Sequence, residues 1–273
     1  MIILLDWGRL EEIPQITSRD NSQLKWGVSL GQKKYREKSG CYLVEGLRLA
    51  EEALLAKAKI RAGWLSPALL QSPRGEKLAL DLWHLGCPLQ KLTDQLLSVL
   101  SQTVSQQGIV LALEQAVNDQ SWLAKGENDL VLVLDRLADP GNLGTIIRTA
   151  AAAGAGLILT PGCADLYNPK TVRATMGALF RLPLWQAPAQ EAAAFLRKLN
   201  WKIFLADAQG KSIYNGADLG GPLAWVLGSE AGGADPFWHR EADEIVSLPM
   251  AASSESLNVA VSAGIILYES RRP

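Results

Sequence analysis

Three short stretches in the second half of the chain each carry one isolated charge among small and apolar residues. In the first, Asp135-Arg-Leu-Ala-Asp-Pro-Gly-Asn142-Leu-Gly144-Thr-Ile-Ile-Arg148, Arg148 is the only charged side chain from Pro140 to Ala164. A lone guanidinium on a helix of Ile, Thr and Ala is costly to bury unless it faces an anion or solvent, so a phosphate, a carboxylate or an open cleft is implied. Asn142 is placed to cap that helix, and Gly144 lets backbone approach closely. The second stretch, Gly228-Ser-Glu230-Ala-Gly232-Gly233, follows an apolar run and suits a tight turn whose amides point at a ligand. The third runs from Leu248 to Tyr268, with Glu255 as its only charge. Its helix, from about Asn258 to Tyr268, is apolar on nearly every face and reads as buried, so the polar loop before it is held against the core. Taken alone, each stretch reads more readily as a plain cap or turn.

Other chemistries lack their residues. A dinucleotide fingerprint needs G-x-G-x-x-G between the first strand and its helix, which Pro-Gly-Asn-Leu-Gly does not supply, and a P-loop lysine is absent. Cys41, Cys87 and Cys163 lie far apart without metal-ligand spacing, and with only His84 and His239 a zinc site or a disulfide framework is not expected. Met1 to Leu5 is apolar but meets Asp6 at once, so neither a signal peptide nor a membrane span is expected and the protein reads as soluble and cytoplasmic. The net charge of −1 argues against a non-specific nucleic-acid coat. Its distribution is uneven: Thr17 to Arg61 holds ten Lys and Arg against five Asp and Glu, whereas Asp129 to Pro273 holds twelve against fourteen.

The elements that must position these residues fall into two groups. Ser18 or Asp20 can cap a helix carrying Leu24, Val28 and Leu30 into the cluster Lys33, Lys34, Arg36 and Lys38, which Gly40 ends. A strand at Cys41 to Val44, a helix at Gly46 to Ala58 and alternating runs up to a closing strand at Gly108 to Leu113 complete a compact α/β unit. Residues 118–128 are polar and read as a linker between a first domain over 1–117 and a second over 129–273. The second domain alternates strands at Leu130 to Leu134, Leu157 to Thr160, Lys202 to Ala206, Leu223 to Leu227 and Glu244 to Leu248 with helices. That rhythm predicts a parallel sheet covered on both faces, with ligands at the carboxyl ends of its strands.

Taken together, Asn142-x-Gly144-x-x-x-Arg148, Leu227-Gly228-Ser229-Glu230-x-x-Gly233, and Leu248-Pro249-Met250 followed by Ser256-Leu257-Asn258-Val259-Ala260-Val261 resemble the three motifs of the SpoU-type RNA 2′-O-ribose methyltransferases of the SPOUT superfamily. Asn168-Pro-Lys170-x-Val-Arg173-Ala-Thr-Met-Gly177 is similar to that family as well, and Leu248 stands where Ile is frequent. Lys33-Lys34-x-Arg36 and Leu43-Val-Glu45-Gly46-x-Arg48 resemble the substrate-binding domain that precedes many such enzymes. The resemblance implies an α/β fold: a C-terminal parallel-sheet SPOUT domain with a deep trefoil knot, preceded by a smaller α/β ribosomal-protein-like RNA-binding domain. It implies S-adenosylmethionine held by Gly228, Leu248, Met250 and Leu257, with Ser256 and Asn258 near the reaction centre. It further implies a homodimer through the C-terminal domain.

By the same resemblance the reaction is attack of a ribose 2′-hydroxyl on the sulfonium methyl. Arg148 matches the family's catalytic arginine, held by Asn142 and Glu230. It is either the general base or, since a guanidinium has a pKa above roughly 12, an orienting group for the hydroxyl and a phosphate. The RNA contacts are expected from Lys33, Lys34, Arg36, Lys38 and Arg48. Ribosomal RNA is the favoured substrate, by analogy with enzymes carrying this first domain. Transfer RNA, an antibiotic-resistance role and a non-catalytic ribosome-assembly protein on the same fold are the alternatives. Glu255 has no assigned role.

Overall fold

The computed structural model describes residues 10–101, 107–126, 128–230, 232–251 and 256–272. They form two compact units, one from the chain up to Ala116 together with Tyr167–Phe180, the other from Val117–Leu166 and Arg181 onward.

The first unit runs β1 (Gln15–Ile16), α1 (Ser22–Ser29), α2 (Lys33–Ser39), β2 (Cys41–Glu45), α3 (Leu47–Leu55), β3 (Ile60–Leu65), α4 (Pro67–Leu70), α5 (Pro73–His84), β4 (Leu89–Leu92), α6 (Asp94–Leu100) and β5 (Ile109–Glu114). Its sheet has the order β1-β4-β3-β5-β2, with β4 parallel to β1 and β3, and β5 antiparallel to β3 and β2. Asn21, rather than Ser18 or Asp20, caps α1, its side-chain oxygen accepting from the amides of Gln23 and Leu24. The single basic helix read from the sequence is two helices. The chain turns between Ser29 and Lys33, and the Arg36 guanidinium donates back to the carbonyls of Leu30 and Gly31, both at 2.9 Å. Those are carbonyls that the end of α1 leaves without helical partners. Gly40, at φ 63°, closes α2.

In the second unit the chain runs α7 (Ser121–Ala124), β6 (Leu130–Leu134), α8 (Pro140–Ala152) and β7 (Gly156–Leu159). It then sends α9 (Pro169–Ala174) into the first unit, where Tyr167 packs against Tyr42 with ring centroids 4.5 Å apart and planes tilted by 40°. The stretch read from the sequence as one C-terminal domain therefore lends residues 167–180 to the packing of the first unit. The chain continues through β8 (Leu184–Gln186), α10 (Ala189–Lys198), β9 (Lys202–Ser212), β10 (Leu223–Leu227), α11 (Pro236–Glu241), β11 (Glu244–Ser247) and α12 (Val259–Glu269).

The second sheet is parallel throughout, in the order β11-β9-β10-β6-β7-β8. Every residue of β6, β7 and β10 is buried, as a parallel sheet covered on both faces requires. Strand β9 is longer than its apolar run: polar residues up to Ser212 continue the ladder with β11, past an irregularity between Ile245 and Val246. Gly210 permits this close approach, since a Cβ there would lie 2.6 Å from the Ile245 carbonyl. From the edge strand β11 the chain returns to the middle of the unit, where α12 packs on α8.

Gly156 offers a direct test of this core. A Cβ there would stand 2.2 Å from the Trp122 ring, so Gly156→Ala should cost about 1–3 kcal/mol as overpacking, read as a lower urea midpoint at unchanged slope. Among the described residues no helix is long and apolar enough to cross a membrane, and no group of three or more His, Cys, Asp or Glu could hold a metal ion.

Candidate active site

Helix α8 opens with Asp139 at its cap and Pro140 in its first turn; the Asp139 carboxylate accepts from the Asn142 amide at 2.7 Å. The cap expected of Asn142 is thus supplied three residues earlier, which leaves the Asn142 side chain free. Its Nδ2 donates to the Glu230 carboxylate, and its Oδ1 accepts from Asn258 Nδ2 at 3.0 Å. Asn258 is itself the cap of α12, accepting from the amides of Ala260 and Val261 at 2.9 and 3.3 Å. One carboxamide therefore ties together the start of α8, the loop after β10 and the start of α12. Both its donor and its acceptor are used, which sets its orientation.

The loop after β10 is a closed hoop. Ser229 and Gly233 exchange backbone hydrogen bonds at 3.1 and 2.9 Å, and Gly233 has φ 61°. At Gly228 a Cβ would lie 2.0 Å from both the Ala234 nitrogen and the Gly233 carbonyl carbon. No side chain fits where the two ends of the hoop touch.

Gly228 and Glu230, with Leu248, Met250, Ser256 and Leu257 from the segment after β11, line a cavity of about 410 Å³. The volume lies within the usual range for small-ligand sites, roughly 300–1,000 Å³. The cavity lies beside residues 206–208 in the middle of β9 and at the carboxyl ends of β10 and β11, where parallel sheets take their ligands. Asn258 lines it too, and Val259 and Ile266 of α12 give it an apolar wall. Asp207 is a lining residue that the sequence reading missed, because it lies in the polar continuation of β9 beyond the apolar run. Its carboxylate stands 3.2 Å from His239 Nε2. Among the described residues two carboxylates and no lysine or arginine line this cavity, a field that favours a cationic ligand.

Arg148 stands elsewhere. At about 100° per residue it is roughly 240° around α8 from Asn142, so the two side chains leave the helix on different sides. It is exposed, and among the described residues it makes no hydrogen bond or ion pair. Within one chain Asn142 and Glu230 hold each other, and Arg148 is not among their partners. On α12, packed against α8, Val261 and Tyr268 are 51% and 56% exposed.

In the first unit Lys33, Lys34, Lys38 and Arg48 are exposed, Lys33 lying 3.7 Å from Glu37. Arg36 is the exception in the expected RNA-contacting set. It is 4% exposed and bonded to the carbonyls of Leu30 and Gly31, so a residue read as a phosphate contact is a buried brace. On a seven-residue helix its burial turns Lys34 and Lys38 to the opposite, solvent-facing side. Glu255 lies outside the described residues.

Comparison with known proteins gives the family. The SpoU rRNA Methylase family matches residues 129–268, and the MRM3-like substrate binding domain matches residues 21–111. The chain is 34% identical to an uncharacterized tRNA/rRNA methyltransferase of Synechocystis sp., over 96% of this chain and 94% of that protein. It is 31% identical to the 23S rRNA (guanosine(2553)-2′-O)-methyltransferase of Bacillus subtilis, over 94% of this chain and 99% of that one. The crystal structure of an AdoMet-bound rRNA methyltransferase from Sinorhizobium meliloti superposes with a TM-score of 0.85 at 32% identity, covering 95% of this chain and 97% of that one. With two matched domains in the same order as its two sequence regions and relatives aligned over nearly its full length, the chain belongs to the SpoU rRNA methylase family.

Proposed function

We propose that this protein transfers the methyl group of S-adenosylmethionine to a ribose 2′-hydroxyl of ribosomal RNA. The observation that carries the reading is the convergence of Glu230 and Asn258 on Asn142 at a cavity whose lining, among the described residues, holds two carboxylates and no cation. S-adenosylmethionine bound there supplies a methyl group activated by a positive sulfonium. Gly228, Leu248, Met250 and Leu257 would hold it, chiefly through backbone groups, with Ser256 and Asn258 lining the same cavity near the reacting ribose. Asn142 keeps Glu230 and Asn258 in register, so that the dipoles around the reacting hydroxyl are set before it arrives. Arg148 orients the hydroxyl and the neighbouring phosphate rather than acting as the base, since a guanidinium stays protonated near neutrality.

Arg148 lies on a different side of α8 from Asn142, so we place it in the site of a second copy. The protein then acts as a homodimer, with α8, Val261 and Tyr268 at the interface. The return of α12 from edge strand β11 to α8 supports a C-terminal segment threaded as a trefoil knot. The first unit serves as the RNA-binding part and the second as the methyltransferase, working in the cytoplasm; residues 118–128, read from the sequence as a linker, instead carry Trp122 and Leu123 into the core of the second unit. Light scattering at micromolar concentration should return twice the chain mass of 29.5 kDa. A monomer at that concentration would remove the shared site.

RNA is gripped by Lys33, Lys34, Lys38 and Arg48. A Lys34→Glu, Lys38→Glu protein should bind ribosomal RNA at least tenfold more weakly, with a salt dependence flatter by about two charges, and unchanged affinity and slope would make the cluster a solvated face. The reaction itself is tested by mapping 2′-O-methyl positions in ribosomal RNA from cells with and without the gene. A single position that disappears with the gene, and that the purified protein restores with S-adenosylmethionine, is the expected result. An unaltered map would end the proposal.

A further inference from the structure

The side chain holding the glycine hoop in place is Asp135, which no motif assigned to the site includes. It follows the last residue of β6 and is 2% exposed, one of the few charged side chains in the interior. A buried carboxylate persists only where hydrogen bonds replace its water. Oδ1 accepts from Thr160 Oγ1 at 2.8 Å, at the end of β7. Oδ2 accepts from the Asp235 amide at 2.8 Å and from Arg136 Nε at 3.2 Å. The Asp135 amide in turn donates to the Leu227 carbonyl at 2.8 Å, the last residue of β10 before the hoop.

Asp135 thus grips the hoop at both ends, by its backbone at Leu227 and by its carboxylate at Asp235. Between those points the chain folds on itself, Gly228 against Ala234 and Ser229 against Gly233. Arg136 adopts φ 56°, a left-handed conformation that a residue with a Cβ takes only at a cost. There its guanidinium serves Asp135 and lies 3.6 Å from the Asp235 carboxylate, so that cost is spent on the same clamp.

We propose that Asp135 is a positioning residue for the methyl donor: through Thr160 and the Asp235 amide it fixes the Gly228–Gly233 hoop, and with it the backbone that meets the donor. The inference rests on the assignment of this cavity to S-adenosylmethionine. It is tested on the full-length protein by calorimetric titration with S-adenosylmethionine, with ribosomal RNA affinity measured in parallel. Asp135→Ala should weaken S-adenosylmethionine binding at least tenfold and raise its KM to match, with RNA affinity within twofold. Thr160→Val, which removes one donor and leaves the carboxylate, should weaken it about threefold or more, whereas Thr160→Ser should stay within twofold of the parent. If Asp135→Ala does not fold, the Thr160 pair decides. Donor affinity unchanged in Asp135→Ala, or equal in Thr160→Val and Thr160→Ser, overturns the positioning role. A parent protein that does not bind S-adenosylmethionine overturns the cavity assignment itself, a different result from variants that bind as the parent does.

Discussion

Arg148→Ala should lower methyl transfer by about 10²–10³-fold, the loss usual for removing one group that stabilises developing charge, while donor affinity and melting temperature stay at the parent values. Arg148 is exposed and makes no hydrogen bond or ion pair among the described residues, so its removal leaves no buried partner unsatisfied. It leaves α8 on a different side from Asn142, away from the convergence of Asn142, Glu230 and Asn258. In the proposed homodimer each site takes this arginine from the other copy. Mixing Arg148→Ala chains with Asn258→Ala chains, each inactive alone, should then restore about a quarter of the parent rate, because half the dimers are mixed and each of those has one intact site. Turnover of Arg148→Ala within threefold of the parent in a single-turnover assay would remove its role, and mixtures as inactive as their components would remove the shared site.

Gly228→Ala should abolish donor binding, with an affinity loss of at least about a hundredfold. Its Cβ would stand 2.0 Å from the backbone of Gly233 and Ala234, and neither contact is the far end of a flexible side chain that could swing away. The hoop must open, which separates Ser229 from Gly233 and moves Glu230 away from Asn142. The sheet beneath is held by the ladders of β10 with β6 and β9, so the loss should fall on binding more than on folding, about 1–3 kcal/mol for the latter. Calorimetry with S-adenosylmethionine beside a urea melt separates the two. Gly232→Ala is the control, since a Cβ there meets only Ser229 Oγ, at 3.6 Å, and it should bind as the parent does.

Much of this was legible in the chain. The buried strands of the second unit read as continuous apolar runs, and the three polar loops beside them stood out because charges are scarce there. The misreadings share a cause. Arg36 looked like one more surface cation, and only the turn between α1 and α2 brings two carbonyls within its reach. Asn142 looked like a cap until Asp139 took that place. Asp207 was hidden in a polar segment that continues a strand only because β11 lies beside it.

By itself, then, the sequence determined the family, the alternation of elements and the residue types of the site, because patterning and motif spacing are properties of short range along the chain. The tertiary structure decided which polar group meets which. Asn142 and Glu230 are separated by 88 positions, Asn142 and Asn258 by 116, and Asp135 and the Asp235 amide by 100. A carboxylate or a carboxamide is satisfied by whichever donor the fold delivers within about 3 Å, and no local rule names that donor in advance.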